Sequence, residues 1–526
     1  MRTPSRYAIA LVAACGLFPV ALDATIVNVA IIPISNALHA TVDTIQWIFL
    51  GYLLANAAVV PLSGYLGNRF GTKRLFLVGL ALFTLCSLLC ALAPSEPWLV
   101  ACRVLQGIGG GLLLPLGMAI ALQPFAKEER ARATAVVGVP LLLAPVVGPI
   151  IGGLMIDSLG WQSIFFVNVP IGLLVLLLAW RVLPADVSAQ QSPDVHTSAD
   201  YPGLLLSMAG ITLLVYACKL VSQTDPHTRT ATNPQGAIYG WGYWPVWVLV
   251  AAGLALLGAF AYRALRVSRD PVLDLRLFAR REFAIANLAV WLASIIAFGL
   301  FFLLPVFLPQ VRQPHLSPTR TGVALLPMGI ATLVGVILGG GLYRLVGARP
   351  LVLAGAALLG LGCWQFRGLT PTTSIGMLAM PLALVGLSTT LILVPTQTLA
   401  LETLSGEALN KATSLVNATK LLMASIGSAA LVTAYIQYTV THATRLTAAL
   451  PATTLAQPTG AQALAARARI ATQAATSGMT DVFTLLLWST LVLVVVALFL
   501  PGRRTAATTD ARESSPGIPR QHADAA

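Results

Sequence analysis

The chain has 526 residues, of which 57% are hydrophobic and only 10% are charged. Soluble globular domains hold about 45–50% apolar and about 25% charged residues, so a soluble fold of this composition could not cover its surface. The net charge of +13 does not indicate nucleic acid binding, because the basic residues fall in short segments between apolar runs. The mean hydropathy of +0.82 instead predicts an all-α polytopic membrane protein.

Fourteen apolar segments are long enough to cross a membrane as helices, which takes about 20 residues each. The first segment follows Arg2 and Arg6 and contains Asp23, so we interpret it as a spanning helix and not as a cleaved signal sequence. The predicted spans are 8–34, 43–63, 74–93, 97–122, 133–156, 163–183, 203–221, 243–262, 283–308, 321–343, 350–367, 374–400, 412–436 and 481–500.

The distribution of lysine and arginine predicts a multi-pass protein of the plasma (inner) membrane with both termini in the cytoplasm. Most of the 32 Lys and Arg residues fall in segments that this arrangement places inside, and the first three outer loops hold none. Positive loops stay on the cytoplasmic side of a membrane. Two long connections, 222–241 and 437–480, are then expected outside, the second with a short helix at 461–475.

A short stretch of sequence recurs after a shift of 276 residues. Residues 64–74 read GYLGNRFGTKR and residues 340–349 read GGLYRLVGAR, with glycine, leucine, glycine and a basic residue in register. Each stretch follows the second helix of a six-helix set. We therefore predict an N-terminal six-helix half at 1–185, two inserted helices at 200–265, a related C-terminal half at 280–500 and a disordered cytoplasmic tail at 501–526.

Four local motifs resemble those of the major facilitator superfamily, specifically its fourteen-helix drug:proton antiporter branch. They are LDATIVNVA at 22–30, the loop at 64–74, RVLQG at 103–107 and GPIIGG at 148–153. Each motif is short, but the four occur in order and in the expected helices. The resemblance covers nearly the whole chain and implies the major facilitator fold, with two six-helix halves plus two inserted helices.

Asp23 is a carboxylate deep inside a predicted span, where a charge costs at least ~2.5 kcal/mol and marks a candidate functional group. Its proton affinity can change with its solvent access and its partner. Helix rise places Arg103 within reach of Asp23, and Gln106 follows one turn later on the same face. The resemblance assigns Arg103 to proton coupling. The alternatives are an aspartate neutralised for structural reasons and an arginine that extends outward.

A second motif lies in predicted helix 5, and the resemblance assigns it to antiport. It comprises Pro145, Gly148, Pro149, Gly152 and Gly153. Glycines remove side-chain bulk and prolines kink a helix, so a neighbouring helix can approach closely. Helix packing alone would also explain these residues.

The loop after helix 2 resembles the family's cytoplasmic hinge motif. Its motif residues are Gly64, Asn68, Arg69, Gly71, Lys73 and Arg74. Asn68 stands where the family usually has an aspartate, and an amide offers only neutral hydrogen bonds. We therefore expect a weak hinge contact in this half, while the three basic residues are equally explained as positive-inside charges.

Polar and aromatic residues in other spans are candidates for a largely apolar substrate pathway. These candidates are Asn28, Asn56, Asn287, Trp291, Phe298, Phe302, Gln397, Asn417 and Lys420. Lys420 could instead extend to the inner face of the membrane. Ordinary interhelical hydrogen bonds or lipid contacts would equally explain the others.

The sequence predicts a proton-coupled antiporter that exports amphipathic organic compounds, such as drugs or antibiotics, by alternating access. An importing symporter of the same fold is the nearest alternative. A polytopic membrane enzyme or a sensor is less favoured, because the chain offers no cluster of catalytic side chains at a membrane face and no signalling domain. We expect no metal or cofactor beyond the proton gradient. The expected partners are the substrate, protons and the lipid bilayer, together with accessory export proteins where a second membrane exists.

Overall fold

The computed structural model is built almost entirely of helices. It describes residues 5–40, 42–125, 130–184, 200–223, 225, 238–268, 271, 273–311, 316–368, 370, 373–402, 404, 406–448 and 461–502. Most of the predicted outer connection 222–241 and nearly all of the predicted tail 501–526 lie outside the described residues.

Fifteen helices follow one another in the described chain. They are α1 (Arg6–Ala37), α2 (Val42–Phe70), α3 (Thr72–Ala91), α4 (Glu96–Leu122), α5 (Arg130–Leu159), α6 (Ser163–Phe166), α7 (Asn168–Val182), α8 (Tyr201–Ser222), α9 (Trp244–Tyr262), α10 (Arg281–Val311), α11 (Pro318–Val346), α12 (Ala348–Phe366), α13 (Ile375–Glu402), α14 (Gly406–Ala448) and α15 (Ala461–Leu498). By length and composition, 13 helical stretches of the described residues can cross a membrane, and Val146–Leu159 is a shorter apolar stretch within α5.

The molecule has two ends, which we name by the direction of α1. The proximal face is the end that holds Arg6 and Gly71, and the distal face is the end that holds Ala37 and Gly160. Helices α1 to α7 form one half and α10 to α15 form the other. Helix α8 packs on α9 and on α14, where the Thr433 hydroxyl donates to the Cys218 carbonyl over 2.8 Å.

The internal repeat of the sequence is visible in the backbone. Helix α2 ends one residue before Gly71 and α3 begins one residue after it, and α11 and α12 do the same around Gly347. The two glycines have φ angles of 95° and 79°. Side chains are strained at such positive φ values, so both turns require glycine. The same turn therefore separates the second and third helices of each half.

The largest difference from the predicted spans lies in α14 and α15. The sequence predicted spans 412–436 and 481–500 joined by an outer loop, but α14 runs on to Ala448 and α15 already begins at Ala461. A span predicted from hydropathy ends where the apolar residues end. The helices continue further, because the alanine- and threonine-rich stretches that follow contain no proline to stop a helix. Gly478 lets the extensions pack closely, since a Cβ there would lie 2.8 Å from the backbone nitrogen of Thr439. We call the two extensions the distal hairpin.

Candidate functional site

A break in the sixth span of the N-terminal half shapes the site. Pro170 lacks an N–H group, and its ring would clash with the carbonyl of Phe166 in a continuous helix. Helix α6 accordingly ends at Phe166 and α7 begins at Asn168. The break leaves the Phe165 carbonyl within reach of α3, where it accepts a hydrogen bond of 3.1 Å from the Ser87 hydroxyl.

Asp23 of α1 and Arg103 of α4 form a buried ion pair at the centre of this half. The Arg103 Nη1 atom lies 2.6 Å from Asp23 Oδ2 and also donates to Gln106 Oε1 over 2.8 Å. The second carboxylate oxygen, Oδ1, accepts longer hydrogen bonds from Gln106 Nε2 at 3.3 Å and from Asn168 Nδ2 at 3.4 Å. Both carboxylate oxygens therefore have protein donors.

Ser87 of α3 joins the amides that contact the carboxylate. Its hydroxyl oxygen accepts from Gln106 Nε2 and from Asn168 Nδ2, each over 3.2 Å. We call the resulting set the Asp23 network. Its members, each 0% exposed, are Asp23, Ser87, Arg103, Gln106 and Asn168. The network therefore ties together α1, α3, α4 and α7.

Helix α2 completes the environment of Arg103. The Arg103 Nε atom donates to the carbonyl of Ile48 over 3.1 Å, and its guanidinium carbon lies 4.4 Å from the centroid of the Tyr52 ring. An aromatic face attracts a guanidinium cation. The arginine is thus held by a carboxylate, an amide, a carbonyl and a ring, and not by solvent.

The chemistry that this arrangement permits is binding of one proton by a buried carboxylate. Removing one partner of such a pair leaves an uncompensated buried charge and costs about 3–5 kcal/mol. Protonation of Asp23 would likewise neutralise one partner of the pair and remove its ionic attraction to Arg103. Within the described residues, no group of three or more His, Cys, Asp or Glu side chains could hold a metal ion.

Sequence reasoning singled out Asp23, Arg103 and Gln106 but missed Ser87 and Asn168. Asn168 is a lone amide in an otherwise apolar predicted span, and a polar group there is costly without a partner. That energetic cost could have identified Asn168 from the sequence. No comparable argument points to Ser87, because a hydroxyl can form a hydrogen bond within its own helix.

The predicted antiporter motif of α5 packs against α1 next to the Asp23 network. Gly148 lies directly against Thr25, and a Cβ at Gly152 would come within 2.5 Å of the Ile26 side chain. The Thr25 hydroxyl donates to the Ala144 carbonyl over 3.2 Å. The glycines thus allow α5 to approach the α1 segment that follows Asp23. The side chain of Pro145 lies outside what the structure describes.

The distal end of α5 meets α11 of the other half at backbone distance. A Cβ at Gly153 would lie 2.5 Å from the Pro318 carbonyl, and Gly322 lies directly against the carbonyl of Pro149. Neither glycine could carry a side chain in this arrangement. The motif therefore serves two contacts, one with α1 and one between the halves.

Polar contacts reinforce this junction of the two halves. The backbone N–H of Thr319, in the first turn of α11, donates to Asp157 Oδ2 over 2.9 Å. A carboxylate at a helix N-terminus is favourable, because backbone N–H groups there lack partners. On α2, Gln46 Nε2 donates to the Ser428 carbonyl of α14 over 3.1 Å. We call these contacts of α5 with α11 and of α2 with α14 the distal closure.

The predicted hinge residues contact their own half. Lys73 Nζ donates to the carbonyls of Trp180 and Leu183 over 3.0 and 2.6 Å, at the C-terminus of α7. Arg69 Nη1 donates to the hydroxyl of Tyr65, one turn earlier on α2, over 3.0 Å. Lys73 thereby binds carbonyls that the helix leaves without partners.

The remaining hinge residues differ in their surroundings. A Cβ at Gly64 would meet no atom within 4 Å, and Gly71 forms the positive-φ turn described above. Arg74 is exposed. The side chain of Asn68 lies outside what the structure describes.

The predicted substrate-pathway residues separate by burial. Asn28, Asn56, Asn287 and Phe302 are buried, whereas Trp291, Phe298, Gln397, Asn417 and Lys420 are partly exposed. Phe302 packs against Phe49 of the other half, with ring centroids 5.3 Å apart. It therefore contributes to the contact between the halves.

Several of these buried polar atoms have no hydrogen-bond partner within the described residues. They are Asn28 Oδ1, both amide atoms of Asn287 and the indole nitrogen Nε1 of Trp291. A buried polar atom without a partner is unfavourable by about 1–3 kcal/mol. Such atoms are expected where a protein keeps donors and acceptors for a ligand.

Two related helical halves, a bilayer-spanning composition and a buried ion pair near the centre of one half define a multi-pass membrane transporter. Residues 13–428 match the sequence profile of the Major Facilitator Superfamily. The chain belongs to this superfamily, and it is a transporter and not an enzyme.

Named relatives support drug export. A multidrug resistance protein B homologue of Mycobacterium tuberculosis is 34% identical over 423 residues, which cover 80% of this chain and 74% of that relative. The multidrug export protein EmrB of Haemophilus influenzae is 31% identical, with 81% and 80% covered. Among solved structures, a bacterial homologue of the human lysosomal transporter Spinster shares the fold, with a TM-score of 0.62, 17% identity and coverage of 96% and 99%.

Proposed function

We propose that this chain is a proton-coupled antiporter that exports amphipathic organic compounds by alternating access. The Asp23 network carries the proposal, because it holds a proton-binding carboxylate between helices that must move if the transporter changes state. The relatives named as multidrug resistance and multidrug export proteins support drugs as the transported class.

Coupling follows from the charge of Asp23. When it is deprotonated, Asp23 attracts Arg103 and accepts hydrogen bonds that hold α1, α4 and α7 together. Protonation removes the ionic attraction, so that another arrangement of these helices can compete. A substrate that prefers one arrangement then shifts the population of states and exchanges with a proton.

The proposed orientation places the proximal face in the cytoplasm, following the lysine and arginine distribution. In this orientation the distal closure lies on the outer side, which supports a state closed toward the outside. Single cysteines at Ser158 and Arg344, both exposed, test this orientation on a background without reactive native cysteines. An impermeant thiol reagent should label Ser158→Cys in intact cells and leave Arg344→Cys unlabelled. The reverse pattern would contradict the orientation.

A symporter that imports its substrate uses the same fold. The paired glycine contacts of α5 favour exchange, because they pack α5 tightly against both α1 and α11 and leave no space for a leak. The direction of transport separates the two candidates. In inverted vesicles with an acidic interior, an exporting antiporter accumulates substrate, whereas a symporter does not.

The test compares proton-driven uptake in inverted vesicles made with the wild type, Asp23→Asn and Asp200→Asn. A drug susceptibility panel in cells that lack their own pumps first supplies the substrate. Asp23→Asn keeps the size of the side chain but fixes it neutral, so we expect the protein to reach the membrane and lose proton-driven uptake.

Asp200 is the matched control, because it is also a buried aspartate paired with an arginine, Arg263, at 2.7 Å, but it caps the N-terminus of α8 outside the network. Asp200→Asn should retain uptake. Full proton-driven uptake by Asp23→Asn at normal expression would show that coupling lies elsewhere.

A further inference from the structure

Helices α10 and α14 of the C-terminal half run parallel and meet near the middle of each helix. Gly427 lies directly against the backbone carbonyl of Ile295, and Gly299 lies against the side chain of Leu431, which fixes how the helices are paired. About two turns closer to the proximal face, the same pairing sets Lys420 level with residue 288, next to Asn287.

Toward the proximal face, residues on the facing sides of the two helices are more exposed. Leu288, about two turns from Ile295 on the same face of α10, is 41% exposed. Lys420, about two turns from Gly427 on the same face of α14, is partly exposed, as is Asn417 one turn further on. A closed helix contact would bury all three. We call this gap, with Leu288 on one side and Asn417 and Lys420 on the other, the α10/α14 crevice.

Lys420 carries a positive charge into this crevice, and the described residues provide no counter-charge for it. No hydrogen bond or ion pair within the described residues involves its ammonium group. Among the described carboxylates of this half, Glu402 at the end of α13 accepts a 2.6 Å hydrogen bond from Tyr343. An unpaired charge inside a span is unfavourable, and charged residues found there usually serve function.

Helix register places two buried hydrogen-bond donors of α10 near the level of Lys420. Asn287 is 0% exposed, and neither its amide nitrogen nor its carbonyl oxygen has a partner within the described residues. One turn further along α10, the indole N–H of Trp291 is also buried without a partner, while its ring packs against Phe278 at 5.5 Å. The locality thus combines a cation, free N–H donors and an aromatic surface.

We propose that Lys420, Asn287 and Trp291 form a subsite that binds the carboxylate of an amphipathic aromatic acid. An ammonium and an indole N–H can only donate hydrogen bonds, whereas a carboxylate accepts about four. Charge-assisted hydrogen bonds are roughly twice as strong as neutral ones. The rings of Trp291 and Phe278 supply an apolar surface for the rest of the molecule.

This inference rests on the proposed export function and specifies the class of compound that is exported. It also separates the two charged sites of the transporter. Asp23 is engaged by Arg103 and is not available to a substrate cation, whereas Lys420 is available to a substrate anion. The subsite therefore favours organic monoanions over cations of the same size.

The experiment measures binding of three dansyl compounds to the full-length protein in nanodiscs without a proton gradient. Dansylglycine is anionic, dansylglycinamide is neutral and dansyl ethylenediamine is cationic. The wild type should bind the anion roughly tenfold or more tightly than the amide, as expected for one charged hydrogen bond. Lys420→Gln should remove this preference, Lys420→Arg should keep most of it, and Lys420→Glu should shift it toward the amine.

Lys219→Gln is the matched control, since Lys219 lies near the distal end of α8, over the ring of Trp47 at 5.6 Å. It should bind like the wild type. A lysine that only extends to the membrane surface would leave the preference unchanged in Lys420→Gln, and that result overturns the subsite. Equal binding, or no binding, of all three compounds by the wild type overturns it as well.

The binding measurement does not depend on proton coupling. A Lys420-dependent preference in a protein that shows no proton-driven transport would refute the antiport proposal and leave the subsite standing. Proton-driven transport by a wild type whose charge preference ignores Lys420 would refute the subsite alone.

Discussion

The two halves of this transporter differ in the surroundings of the charged side chain inside their spans, although both contain buried polar atoms without a partner in the described residues. In the N-terminal half, both oxygens of Asp23 have protein donors, and Ser87 joins the surrounding amides. In the C-terminal half, Asn287 and Trp291 keep buried polar atoms without partners in the described residues. Lys420 of the same half makes no ion pair within the described residues, whereas Asp23 is paired with Arg103. The two proposals above accordingly assign a proton to the paired site and an external group to the unpaired one.

The largest expected effect comes from breaking the ion pair between Asp23 and Arg103. Arg103→Ala leaves Asp23 buried without its counter-charge, which should destabilise the protein by about 3–5 kcal/mol and abolish transport. Arg103→Lys retains the charge but loses the planar fork, so it should keep part of the activity. The apparent Tm of detergent-solubilised protein and proton-driven uptake in vesicles measure the two effects. An unchanged Tm for Arg103→Ala would show that the ion pair contributes nothing to folding.

Two matched substitutions, each of one buried asparagine, should change the stability of the protein in different directions. Asn168→Leu removes a donor to Asp23 and to Ser87, so it should destabilise the protein by about 1–2 kcal/mol. Asn287→Leu removes two buried atoms that have no partner, so it should leave the stability unchanged or raise it by up to about 1 kcal/mol. The apparent Tm of both variants, measured in the same detergent, checks this. Equal losses of stability in Asn168→Leu and Asn287→Leu would contradict the difference between the two sites.

A smaller effect is expected where the two halves meet. Asp157→Asn keeps an acceptor for Thr319 but loses the charge that favours the N-terminus of α11. Opening of the distal closure should therefore become easier, and labelling of a cysteine at Gln46 should accelerate roughly twofold. Ser158→Ala is the control, because the Ser158 hydroxyl bonds to the Leu154 carbonyl of its own helix. Equal acceleration in both variants would exclude a specific role for Asp157.

The sequence predicted the positions of the spans and the approach of Arg103 to Asp23 because both follow from length along a helix. Apolar length marks a span, and the rise per residue sets the depth of a charged group. It could not predict that the amide nitrogen of Asn168 has two acceptors while neither amide atom of Asn287 has a partner within the described residues. Both are single amides in apolar runs, and only the packing of neighbouring helices separates them.

The ends of two helices also could not be predicted from hydropathy. Hydropathy located the lipid-facing parts of α14 and α15 but not their continuation into the distal hairpin. That continuation depends on helix propensity and on the contact between Gly478 and Thr439, neither of which changes the hydropathy of the chain.

The distal hairpin makes α14 a long rigid arm that is held near its middle. Gly427 lies against α10 there, and the neighbouring Ser428 carbonyl accepts a hydrogen bond from α2 of the opposite half. From Gly427 to Ala448 the arm measures about 31 Å at 1.5 Å per residue. A tilt of about ten degrees at that point displaces the tip by about 5 Å over this length. A tilt of α14 that is small within the packed helices would thus displace the tip of the helix much further outside the bilayer. A probe attached near Ala448 would report this displacement.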